Sequence, residues 1–123
     1  MSNLESWKRE IEALNGLLAE AEAALNAMGP KITVGVDLYG THTMLIFLET
    51  DNGKWRLCIH QSGKTPQPVQ NASTNDRIHA ANKLPELMTL LETKIAQNRL
   101  DVQRAIRAAE RGIEILAQIT SEE

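Results

Sequence analysis

Cys58 and His60 stand two apart in the segment KWRLCIH, so in an extended strand both side chains point to one face. A thiolate beside an imidazole could bind a metal or act as nucleophile and base, but either use needs further ligands or an orienting third group. Asp37 and His42, earlier in the same region, could supply one only if the fold brings them close. The plainer reading is a small cysteine at the edge of the core, opposite Phe47, and a strand histidine facing solvent. His79 reads as an exposed helix residue. No complete nucleophile, base and orienter can be assembled, so no enzyme, no cofactor and no metal site are expected.

Three further motifs fail on their context. Ser62-Gly63-Lys64-Thr65 ends like a phosphate-binding loop, but Cys58 stands where the leading glycine belongs and Pro66-Gln67-Pro68 stands where a helix should begin. Asn71-Ala72-Ser73 matches a glycosylation acceptor, which has no chemistry without secretion. Arg104, Arg107 and Arg111 form a basic stripe at helical spacing that could follow a phosphate backbone, yet Asp101 and Glu110 interrupt it. A single Phe and a single Tyr leave little to stack on bases, so the stripe reads as a solvated helix face.

Composition agrees. A net charge of -3 and a pI near 5.6 give no bulk positive field for nucleic acid or an anionic membrane. The lone cysteine cannot form an internal disulfide. The first residues, MSNLESWKRE, carry no signal-type apolar run, and no stretch approaches the roughly 20 apolar residues of a membrane span. A cytoplasmic protein is expected.

The elements that must position these residues follow from periodicity. A helix is expected over residues 3–28, stopped by Gly29-Pro30, where glycine accepts a left-handed cap and proline cannot continue the helix. Residues 31–61 change period: KITVGVDL alternates, TMLIFLE is almost continuously apolar, and KWRLCIH follows Asn52-Gly53. That dipeptide suits a two-residue type I′ turn, which would set Phe47 opposite Cys58 and Leu48 opposite Leu57. Two cross-strand ion pairs, Asp51 with Lys54 and Glu49 with Arg56, would follow from that turn. It also places Ile46, Leu48, Trp55, Leu57 and Ile59 on a core face with Val34, Val36 and Leu38. The opposite face would then carry Asp37, Tyr39, Leu45, Phe47, Arg56, Cys58 and His60, a mixed surface suited to a partner or a small ligand. Residues 62–73 read as a polar, mobile loop, and residues 74–119 as a helical segment opened by Ser73 and Asp76, with a break or kink near 82–85 at Pro85.

Two stretches share a 4-3 apolar rhythm. Trp7, Ile11, Leu14, Leu18, Ala21, Leu25 and Met28 make one seam, and Ile95, Val102, Ile106, Ala109, Ile113 and Leu116 make another. The expected architecture is a single α+β domain over residues 1–123, ordered α-β-β-β-α-α, with its terminal helices paired antiparallel. Leu17, Ala24, Ala105 and Gly112 widen the stripes beyond what one partner helix covers, which marks them as an interface. The expected function is a non-enzymatic protein interaction or adaptor module that forms a homodimer through its helices and has room for a further protein partner. A small-molecule sensor using the outer sheet face is the alternative.

Overall fold

The computed structural model describes residues 2–40 and 42–122. A long helix, a four-stranded antiparallel sheet and a second long helix follow one another, so the class is α+β. Helix α1 spans Asn3–Met28; Ser2 caps it by accepting from the Glu5 N–H at 3.2 Å, and Gly29 closes it in the left-handed region (φ 65°). Strands β1 (Val34–Asp37), β2 (Thr43–Glu49), β3 (Trp55–Gln61) and β4 (Gln67–Pro68) lie in sequence order, and a 3-10 turn over Val69–Asn71 leads to α2, Thr74–Ser121. Thr41, in the connection between β1 and β2, lies outside the described residues. The chain divides into two compact units, residues 1–91 and 92–123.

The register of β2 on β3 differs by one residue from the sequence expectation. Phe47 faces Leu57, Ile46 faces Cys58 and Leu48 faces Arg56. The reason is the turn: the Gly53 N–H donates to the Thr50 carbonyl at 2.9 Å and the Thr50 N–H to the Lys54 carbonyl at 2.7 Å, leaving Asp51, Asn52 and Gly53 as a three-residue loop. Gly53 takes a positive φ of 73° whereas Asn52 does not, the signature of a type I turn closed by a glycine bulge rather than a type I′ turn. One extra loop residue turns every β2 side chain over relative to β3. Leu45 and Phe47 therefore join Val34, Val36, Leu38, Leu57 and Ile59 in the core, and Ile46 and Leu48 move to the outer face. The expected pairing of Asp51 with Lys54 and Glu49 with Arg56 is lost with the register.

The supposed mobile loop at 62–73 is partly ordered. It supplies β4, and Val69 and Ala72 are buried beside it. Proline is tolerated in β4 because that strand is an edge. Of the break or kink expected near 82–85, the structure shows no break: α2 continues through Pro85. Pro85 is exposed, while Ala80 and Leu87 on either side of it are buried together with Leu91, so packing holds the helix across the missing donor. The hydroxyl of Thr89 donates to the Pro85 carbonyl at 3.1 Å.

Helix α1 lies along β3 and the 3-10 turn. Its seam buries Leu18 and Leu25, each of which contributes about 1.5–3 kcal/mol as a fully covered side chain. Trp7 and Met28, at the two ends of this seam, are exposed. Leu25 and Trp55, with Phe47, border a small cavity of about 50 Å³, and the Phe47 and Trp55 rings stand 5.5 Å apart.

Two side chains of α1 complete the free edge of β3. The Glu22 carboxylate accepts from the Leu57 N–H at 3.0 Å and from Arg56 Nε at 3.3 Å, and the Asn26 amide donates to the Trp55 carbonyl at 3.0 Å. β4 pairs only with Cys58 and Ile59, so Glu22 and Asn26, one helical turn apart, stand where a longer β4 would have supplied backbone partners.

Candidate functional site

The outer sheet face brings together four of the residues read from the sequence as its surface. Asp37 lies opposite Met44, His60 opposite Met44 from the other side, Arg56 opposite Leu48 and Cys58 opposite Ile46. Phe47 is not among them: at 1% exposure it belongs to the core, as does Leu45. Met44, Ile46 and Leu48, half-buried, take their places. The apolar side chains settle over Gly35, where an added Cβ would stand 2.9 Å from Met44 Cε and 3.3 Å from Ile46 Cγ1.

This face offers little reactivity. Cys58 is wholly buried at the centre of the sheet, and that burial pushes its thiol up to about 11, with the nearby Arg56 pulling the other way. A thiol so placed is protonated at neutral pH and out of reach of solutes. Among the described residues no group of three or more His, Cys, Asp or Glu is placed to hold a metal ion.

Tyr39 has left the outer face for partners on α2. Its hydroxyl donates to the Asp76 carboxylate, and its ring meets the His79 ring edge-on at 4.7 Å between centroids. Burial, then the Asp76 hydrogen bond and charge, push its ionisation up to about 12. The hydrogen bond and the ring contact together make the cluster a clasp between the end of β1 and the start of α2. The sequence reading did not join these three residues, although the three-residue spacing of Asp76 and His79 puts both on one helix face. Asp76 also donates its N–H to Ser73 Oγ at 3.2 Å, which is half of the expected capping box.

A cleft of about 570 Å³ is open and lies beside the edge cap, lined by Ala19, Glu22, Asn26, Lys54, Trp55 and Arg56 among others. Within it Glu22 and Arg56 are engaged with each other, and Glu22 also with the β3 edge.

The expected interface residues are all exposed. Leu17 is 62% exposed and Ala24 is exposed on the side of α1 away from Leu18 and Leu25. Ala105 and Gly112 lie in the second unit, where every residue from Ala96 to Glu122 is exposed. There the seam is laid open: Val102 is 49% exposed, Ile106 51%, Ile113 67% and Leu116 62%. Monomeric proteins scatter single apolar residues over their surfaces, whereas these four large ones share one helix face, with Ala109 between Ile106 and Ile113. The Arg104 to Asp101 pair at 3.9 Å, both side chains mostly in water, adds little to the helix by itself.

No helix among the described residues is long and apolar enough to cross a membrane. Comparison with protein-family models, with curated proteins and with solved structures finds no match.

Proposed function

We propose that this chain is a non-enzymatic, self-associating interaction module, and that the exposed stripe of α2 in residues 92–121 is its pairing surface. One observation carries the reading: Val102, Ile106, Ile113 and Leu116 keep about half or more of their surface in water at the 4-3 spacing of a helix seam. With about half to two-thirds of each surface still in water, covering the rest would contribute about 1–2 kcal/mol per side chain, and four such residues along one face favour a partner. A second copy carries the same stripe by construction, and two-fold pairing is the commonest form of self-association.

The test is light scattering coupled to gel filtration over a dilution series in the micromolar range. The expected mass is twice the 13.6 kDa of one chain at the concentrated end. An Ile106→Asp, Ile113→Asp double variant is expected to run as a monomer with its sheet unit still folded, since neither residue is buried in the single chain. A mass of one chain at every concentration refutes the proposal. Leu17→Asp on α1 separates the two expected interfaces: an unchanged dimer places pairing on α2, whereas dissociation moves it to α1 and refutes the assignment to α2.

A further inference from the structure

We infer that the partner on this stripe is a second copy lying antiparallel, its second unit, residues 92–123, alongside the same unit of the first; this rests on the self-association proposed above. The charges of the segment supply the direction. Lys94, Arg99, Arg104 and Arg107 against Glu92 and Asp101 leave residues 92–107 at a net charge of +2. Arg111 against Glu110, Glu114 and Glu122 leaves residues 108–122 at -2. A parallel, in-register pair sets like halves beside each other, and an antiparallel pair sets opposite halves together. The helix dipoles favour the same choice, because antiparallel neighbours place positive ends beside negative ones.

The positions flanking the seam agree. Ile106 and Ile113 form one row, and Val102, Ala109 and Leu116 the other, each with seven-residue spacing. Parallel two-stranded coils are commonly specified by oppositely charged residues on either side of such rows. Here Ala105 and Gly112 occupy one flank and Gln103, Glu110 and Ala117 the other, so no flanking ion pair selects a parallel mate. Small flanks instead let two backbones approach closely.

Full overlap also fixes the register. A two-fold axis between Arg107 and Ala108 superposes the whole second unit on its copy and sets Ile106 against Ala109 and Ile113 against Val102. Large thus meets small or medium at every central level. Leu116 falls beside Arg99, whose methylene stem covers it while the guanidinium reaches water.

Energy transfer between dyes tests the orientation. In the full chain with Cys58→Ala, cysteines are placed singly at Glu92→Cys and Ser121→Cys, both at exposed positions, and each variant is labelled with donor or acceptor. The two sites lie roughly 44 Å apart along one helix at about 1.5 Å per residue. Mixing donor at 92 with acceptor at 121 is expected to give strong transfer, and mixing like sites to give several-fold weaker transfer. The reverse pattern, strong transfer between like sites, overturns the antiparallel inference while leaving self-association standing. Absence of transfer in every combination, together with a one-chain mass by light scattering, overturns both. Circular dichroism and light scattering of the labelled variants establish that folding and assembly survive labelling.

Discussion

Replacing Glu22 by Ala removes the side-chain acceptor of the Leu57 N–H, and the cost can be worked from the geometry. The bond is 3.0 Å long, its acceptor carries a full charge, and the Glu22 side chain is 16% exposed. Hydrogen bonds to charged groups contribute about 1.5–3 kcal/mol, and a stranded donor at a strand edge adds to the loss unless water reaches it. The ion pair with Arg56 adds well under 1 kcal/mol, since the guanidinium partner is 38% exposed and largely screened. Alanine's better helix propensity returns a few tenths of a kcal/mol. The net expectation is a loss of about 2–3 kcal/mol. The first unit spans residues 1–91, and for domains of that size each kcal/mol moves the unfolding midpoint by about 4–8 °C, so a drop of about 10–20 °C is expected. Thermal unfolding followed by tryptophan fluorescence reads it, since Trp55 sits beside the cap. Glu20→Ala, on the exposed side of the same helix, is the control and should not lose stability. Glu22→Gln keeps an acceptor without the charge and should fall between the two. If Glu22→Ala melts with Glu20→Ala, the carboxylate is not holding the β3 edge and the reasoning fails.

Two further outcomes follow from the turn and the clasp. Gly53→Val forces a β-branched residue to φ 73° and should cost about 1 kcal/mol or more, whereas Asn52→Val should be milder because Asn52 keeps a negative φ; equal losses in the two variants would restore the type I′ turn and its register. Tyr39, the one tyrosine of the chain, has its folded ionisation raised from 10.0 to about 12, so the stability it contributes is fully present below pH 10 and is lost as pH rises from 10 through 12. Ultraviolet absorbance of the phenolate should show one late, folding-linked titration, and a midpoint near 10 in the folded protein would contradict the clasp with Asp76.

Much of the scaffold was legible because local chemistry decided it. Gly29-Pro30 stops α1 where expected, Leu18 and Leu25 of the first seam are buried, and β1 and β3 turn the expected residues inward. The register of β2 was not legible for two reasons. Asn52-Gly53 serves a two-residue turn or a three-residue loop with a glycine bulge equally well. TMLIFLE is apolar on both faces, so its pattern cannot arbitrate between Leu45 with Phe47 and Ile46 with Leu48. That single slip carried Phe47 out of the expected surface and into the core. β4 left no periodic trace because it is two residues long and contains Pro68. Pro85 argued for a break or a kink on backbone grounds, and the helix continues through it between side chains buried on both sides. The partners of Tyr39 and of the β3 edge are contacts between residues 29 to 37 apart, which no local pattern reports.

The edge cap also orders events during synthesis. Glu22 and Asn26 leave the ribosome well before the residues they serve, because their bonds to Leu57 and Trp55 close over 35 and 29 positions. A helix made first thus arrives with its polar groups already in place, and β3 meets its guard as it pairs with β2 rather than afterwards. An open strand edge is the surface on which partly folded chains recruit one another into aggregates. Because α1 precedes β3 in the chain, its guard is already synthesised when β3 emerges, and a variant that delays docking of α1 would lengthen the exposure of that edge. Losses at Glu22 or Asn26 should therefore appear in cells as insoluble protein before they appear as a changed fold.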